Sequence, residues 1–162
     1  MGRAAFARGC SGSIEMVSSR RIGRSMDKHV VARIDEVKPG EHIKVTVRGR
    51  DIALFNLAGE FYAIGDRCPH EAGSLSTGCQ VSLAESDKPG HYRLSRRGEF
   101  IKCPWHGWEF DIKTGQSYCD PFKMRVRSYE AAIQTGEDLT KGPYIAETFR
   151  VSLDADYVVI EL

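Results

Sequence analysis

From residue 28 onward, apolar positions recur at every second residue, in short runs separated by glycine and proline. That is the period of a half-buried strand, whose successive side chains leave opposite faces. Residues 30–34 form a short apolar run, and Pro39-Gly40 marks the turn after it. His42-Ile43-Lys44-Val45-Thr46-Val47 then alternates, placing Ile43, Val45 and Val47 on one face. Gly49 falls in the next turn. Residues 52–57 and 61–64 flank Ala58-Gly59, which predicts a hairpin with the permissive residue at the tight bend. Farther on, residues 91–94 and 100–101 read as two strands of a hairpin around Arg96-Arg97-Gly98-Glu99, with residues 85–90 as a loop before them. Residues 110–116 read as another hairpin and Asp120-Pro121-Phe122 as a turn. Residues 126–131, 145–153 and 157–160 complete the strands, with Phe149, Val151 and Leu153 on a shared face. No segment has a helical period, although residues 71–75 have room for one short turn, and there are no internal repeats. The pattern predicts an all-β protein.

Residues 1–27 lack this periodicity and are rich in Arg, Gly and Ser. With little apolar surface to bury, they are expected to be a disordered N-terminal extension, the domain itself running over 28–162. Ser19-Arg20-Arg21-Ile22 is similar to a twin-arginine export signal, but no apolar stretch follows it, and none precedes Cys10. Met26 is an alternative opening of the chain. The composition, 41% hydrophobic and 28% charged, fits one ordinary globular domain with a core of its own. A formal net charge of +1 gives no reason to expect nucleic acid or an anionic membrane as partner. No apolar run approaches the roughly 18–20 residues of a spanning helix, so no membrane segment is expected. The five cysteines, at 10, 68, 79, 103 and 119, have no spacing that outlines a disulfide framework, which fits a reducing, cytoplasmic location.

The chemistry is concentrated in Cys68-Pro69-His70 and Cys103-Pro104-Trp105-His106. Each piece joins a thiol to an imidazole across one or two residues, so each can grip a metal by itself. Ala72-Gly73-Ser74 and Gly107 follow, where the backbone can fold closely over an inorganic centre. This C-x-H element followed by C-x-x-H, with Leu75-Ser76-Thr77-Gly78 after the first box and Gly107-Trp108-Glu109-Phe110-Asp111 and Thr114-Gly115 after the second, resembles the Rieske 2Fe–2S ferredoxin family, as found in ring-hydroxylating dioxygenase systems. The resemblance covers 28–162. It implies stacked antiparallel sheets, with a cluster-binding subdomain at about 62–120 inserted in a base domain. It also implies one 2Fe–2S cluster, with Cys68 and Cys103 on one iron and His70 and His106 on the other. Two thiolates leave the oxidised unit near neutrality, so an electron is more easily added than to a four-cysteine cluster. The imidazole rings are expected to face solvent. Pro69 and Pro104 remove a donor and fix φ in each loop.

Several features depart from the family or stay open. The connection between the boxes, residues 71–102, has 32 positions and is longer than in most Rieske ferredoxins. The extra cysteine that braces each loop of the high-potential members is missing, and Trp108 stands where they carry a serine. Pro121 is either the proline of the loop that covers the cluster or an ordinary loop proline; Cys79 and Cys119 are either free thiols or packed near the cluster. His29, His42 and His91 stand apart from any cysteine and are expected to be surface side chains.

The resemblance implies a soluble one-electron carrier that takes electrons from a flavin reductase and passes them to a terminal oxygenase. No catalytic residue is assigned, because no His follows His106 and a mononuclear His-His-carboxylate iron site cannot be assembled from this chain. One alternative is a Rieske-type small subunit of a larger reductase such as nitrite reductase. Another, of a different class, is a structural zinc module, although zinc sites usually pair like ligands within a box.

Overall fold

The computed structural model describes residues 27–136 and 156–162. The expected extension at 1–26, Cys10 and the strand expected at 145–153 lie outside the described residues. Ten strands are present among the described residues: β1 (Lys28–Arg33), β2 (His42–Val47), β3 (Arg50–Leu57), β4 (Glu60–Gly65), β5 (Cys79–Lys88), β6 (His91–Lys102), β7 (Glu109–Asp111), β8 (Ser128–Tyr129), β9 (Ala131–Thr135) and β10 (Asp156–Glu161). They form three antiparallel sheets, ordered β1-β10-β9, β2-β3-β4-β8 and β5-β6-β7. Single 3-10 turns occupy Ile34–Glu36 and Leu75–Thr77. The all-β expectation holds, and the described part of the chain has no helix long and apolar enough to cross a membrane.

β3 is the wall between two cores. Its central run Ile52-Ala53-Leu54-Phe55 is fully buried on both faces, and alternation sends neighbours opposite ways. Ile52 and Leu54 join Ala32, Val37, Val47, Phe61, Ala63, Val158 and Ile160 in a base core. Ala53 and Phe55 join Ile64, Cys68, Leu75, Ile101, Cys103, Phe110, Ile112 and Val126 in a second core. Ile43 and Val45 pack against the base core beside Val47, as the period of β2 predicts. The hairpin at Ala58-Gly59 is also found, with both residues at positive φ and Leu57 opposite Glu60. Buried Asn56 fastens it, accepting from Gly59 N–H and donating to Val37 O, both at 2.7 Å.

The connection between the boxes differs from its sequence reading. Residues 91–94 and 100–101 are not two arms of one hairpin. They belong to a single strand, β6, which pairs back on β5 across Pro89-Gly90, and residues 85–88 are strand rather than loop. The turn signal at Arg96–Glu99 is real, but it makes a bulge: pairing passes from Leu83↔Ser95 to Val81↔Phe100. Arg96 (φ 47°) and Gly98 (φ 71°) absorb the surplus residues in the left-handed region.

After the second box, Asp111 N–H bonds to Gln116 O and Phe110 bridges Ser117, so the hairpin expected at 110–116 is present. The run expected at 126–131 is instead divided. β8 continues the second sheet and β9 the first, with the chain changing sheets at Glu130. Asp120–Lys123 turns as expected, its Pro121 and Phe122 exposed.

Candidate metal centre

Both boxes sit on tight loops that leave the second core. The first loop begins where β4 ends, and Asp66 organises it. Its buried carboxylate accepts from Ser74 Oγ–H and Ser76 N–H, both at 2.7 Å, and its carbonyl accepts from Leu75 N–H. Burial pushes this carboxyl upward, but the hydrogen bonds from Ser74 and Ser76, with the Lys44 charge, outweigh it and hold the pKa below its ordinary value. Within the loop, Ala72 N–H bonds to Cys68 O and Cys68 N–H to Gly73 O. The second loop is closed by Cys103 N–H to Trp108 O at 2.7 Å and Gly107 N–H to Cys103 O at 3.1 Å.

The two loops meet at Gly73. A Cβ there would lie 3.0 Å from Cys103 Sγ and 3.1 Å from Trp105 Cγ, so a side chain at this position would press the two loops apart. Trp108 ties the loops from the other side: it is half-buried against the core, and its ring lies tilted over His70 with centroids 5.1 Å apart.

The thiols and imidazoles separate into two layers. Cys68 and Cys103 are only 3% and 2% exposed and lie side by side. Burial pushes the Cys68 thiol up; the backbone N–H groups of His70 and Glu71 work against that by pointing at its sulfur, and the neighbouring Cys103 adds to the rise. His70 and His106 are exposed, as expected, and their rings meet in a T-shaped arrangement with centroids 4.8 Å apart. Glu71 stands beside them, its Oε2 3.5 Å from His106 Nε2. The ligand atoms of His70, Glu71 and His106 come within 4.8 Å of one another, and the thiols are not part of that group.

This donor set fits a two-iron sulfide centre. Two adjacent buried thiols, with backbone N–H donors aimed at the Cys68 sulfur, suit anionic sulfur ligands whose charge a metal offsets. A single tetrahedral zinc ion needs all four ligands around one point, whereas here the sulfur and nitrogen layers are distinct.

The remaining sequence candidates lie elsewhere. The four described cysteines are free, with Cys79 and Cys119 exposed. His91 is exposed, as expected. His29 and His42 are half-buried rather than on the surface, His42 stacking on Phe55 at 5.2 Å.

Two groups were not recognisable from sequence, one that fastens the first loop and one that braces the sheet from which the second loop leaves. Asp66 carries no signal except its place two residues before Cys68. Arg96 lies in the bulge of β6 and donates to Asp111 Oδ2 (2.6 Å), Glu99 Oε2 (2.8 Å) and Tyr118 Oη (3.0 Å), with its guanidinium 4.5 Å from the centroid of the Phe100 ring. Its pKa is raised, chiefly by the hydrogen bond to Asp111.

The comparisons with known proteins agree with this arrangement. Residues 27–130 match the Rieske [2Fe-2S] domain. The chain is 31% identical over 112 residues to the 3-phenylpropionate/cinnamic acid dioxygenase ferredoxin subunit of Escherichia coli (strain K12), covering 69% of this chain and 91% of that one. It is 30% identical over 103 residues to the ferredoxin component of the naphthalene 1,2-dioxygenase/salicylate 5-hydroxylase systems of Ralstonia sp, covering 64% and 84%. Among solved structures, the Sphingomonas yanoikuyae B1 ferredoxin superposes with a TM-score of 0.55 at 23% identity, covering 84% of this chain and 99% of that one, a likeness of fold. The chain belongs to the Rieske [2Fe-2S] domain family, and the cofactor of that family is a single 2Fe–2S cluster.

Proposed function

We propose that this protein is a soluble, cytoplasmic one-electron carrier that takes electrons from a flavin reductase and delivers them to a terminal oxygenase. Cys68, His70, Cys103 and His106 are the cluster ligands in this reading. The observation that carries it is the layering of the site, with two buried thiols beneath two exposed imidazoles on facing loops. The cluster, when bound, supplies a one-electron couple. The chain's own residues do the rest. Cys68 and Cys103 anchor the centre inside the second core, and His70 and His106 present its outer edge to solvent. Trp108 and Gly73 keep the two loops in register. The relatives are ferredoxins of dioxygenase systems, which supports an oxygenase as acceptor.

In domain terms, the reading gives a Rieske domain over 28–162, with a cluster-binding subdomain at about 62–120 and residues 1–27 as an extension. The division of the core at β3 supports the two-part description. The test is anaerobic reconstitution with iron and sulfide, followed by reduction with NADH and a flavin reductase of an aromatic dioxygenase system. A brown protein with two irons and two sulfides per chain, bleached on reduction and reoxidised by a dioxygenase, is expected. A colourless protein holding stoichiometric zinc would refute the reading.

A further inference from the structure

A cleft of about 510 Å³ opens between the start of β3, the end of β4 and the stretch leading into β8. Four arginines line it: Arg50, Arg67, Arg125 and Arg127. All four are exposed. None forms an ion pair with an acidic side chain among the described residues. Two carboxylates also line the cleft, but both are engaged elsewhere. Asp51 accepts from Thr46 Oγ1 and lies 3.8 Å from Lys44, and Asp66 is held by Ser74 and Ser76.

The sequence builds this concentration of charge by alternation. In Arg125-Val126-Arg127 the middle residue is 4% exposed and belongs to the second core, so its neighbours must point outward. The stretch cannot retreat. Gly65 N–H bonds to Arg127 O and Val126 N–H to Gly115 O, each at 2.8 Å. At Gly115 (φ 73°) a Cβ would stand 2.1 Å from Val126 O. Arg67 directly precedes Cys68, which places one edge of the cleft beside the first ligand loop.

We propose that this cleft receives an acidic segment of the redox partner. Four guanidinium charges against the two carboxylates of Asp51 and Asp66 leave the cleft with an excess of positive charge, and a partner that supplies further carboxylates relieves the remaining repulsion and is drawn in by it. Guanidinium forks match carboxylates in geometry as well as in charge. The four arginines come from three separate stretches of chain around a wide cleft, which suits carboxylates spaced along a peptide better than one compact anion. Identifying that peptide with a redox partner rests on the electron-carrier reading; the binding itself does not.

The test uses the reconstituted holoprotein and an end-blocked hexaglutamate peptide, titrated calorimetrically at low ionic strength. Arg125→Gln/Arg127→Gln is expected to weaken binding at least tenfold, and Arg50→Gln alone several-fold. Lys88→Gln/Arg97→Gln, a control of equal charge on the β5–β6 hairpin, should change it less than twofold. Added salt should raise the Kd steeply. Absence of binding, or equal weakening by the control pair, overturns the proposal. So does inorganic phosphate binding as tightly as the peptide with the same dependence on Arg125 and Arg127, which would make the cleft a small-anion site. Arg50→Gln lies outside the loops and keeps the test readable if the double variant does not fold. Visible spectra recorded alongside separate the two readings: a parent protein without the cluster spectrum refutes the electron carrier and leaves the peptide result standing.

Discussion

At the scale of single residues, the inner half of the site is built from tightly packed atoms. Cys68 and Cys103 are buried in the core, so in the proposed ligand set either Cys→Ala change removes an anionic donor and leaves an apolar gap in its place. Reconstituted C68A or C103A is expected to retain no cluster spectrum. His70→Cys and His106→Cys keep a metal donor but add negative charge, so any cluster they hold should show a lower potential. Electronic spectra and voltammetry of the four variants check both halves of this statement. Gly73→Ala places a methyl 3.0 Å from Cys103 Sγ. Overpacking of this kind costs about 1–3 kcal/mol, and iron analysis should show reduced cluster occupancy while the far-UV spectrum stays that of the parent. Asp66 gives a pH dependence whose sign is set. Its folded pKa is depressed, so its stabilising contribution is complete above the unfolded value, about 3.9, and is lost as pH falls through the lower folded value. Asp66→Asn should cost about 1–3 kcal/mol at neutral pH and make acid unfolding below pH 4 less steep. Denaturant midpoints at pH 7 and pH 3 measure it.

At the scale of elements, the β5–β6 hairpin is the part of the chain least like its sequence reading. Its strands run ten and twelve residues with a bulge between two paired stretches. The bulge is held by Arg96, which reaches Asp111 at the end of β7 and Tyr118 in the loop beyond it. Asp111 is only 4% exposed, but it also accepts N–H bonds from Lys113 and Thr114. Arg96→Met therefore removes one of several partners of a buried carboxylate. A loss of about 1–2 kcal/mol is expected, read as a melting temperature several degrees lower. Arg96→Lys, which keeps the charge near Asp111, should restore part of the stability.

At the scale of the whole molecule, β3 joins a base core to a site core, and the exposed imidazoles lie at the outer edge of the second. No disulfide braces the described loops, and Trp108 lies over His70 rather than offering a short hydroxyl. Fewer donors toward the cluster leave its reduced charge less stabilised, so the midpoint should fall near the bottom of the family's span, roughly −150 mV. Protein-film voltammetry at neutral pH checks this, and a midpoint above about +100 mV would contradict it. The sequence by itself determined the all-β class, the hairpins at Ala58-Gly59 and 110–116, and the β2 face of Ile43, Val45 and Val47, and it pointed to the two Cys/His boxes as the place to look for chemistry. All of these are local, since period-two alternation, a glycine at a tight bend and a thiol and an imidazole within four residues are written in neighbouring positions. Tertiary structure alone decided the rest. Whether residues 96–99 form a turn or a bulge depends on what Arg96 finds across the sheet, and Asp111 is fifteen residues away. The halving of 126–131 between two sheets depends on which strands are free to pair. Asp66 becomes the fastening of the first loop, and four scattered arginines become one cleft, only when β4, the loops and the 125–127 stretch are folded together, because the interactions that define them are between residues distant along the chain.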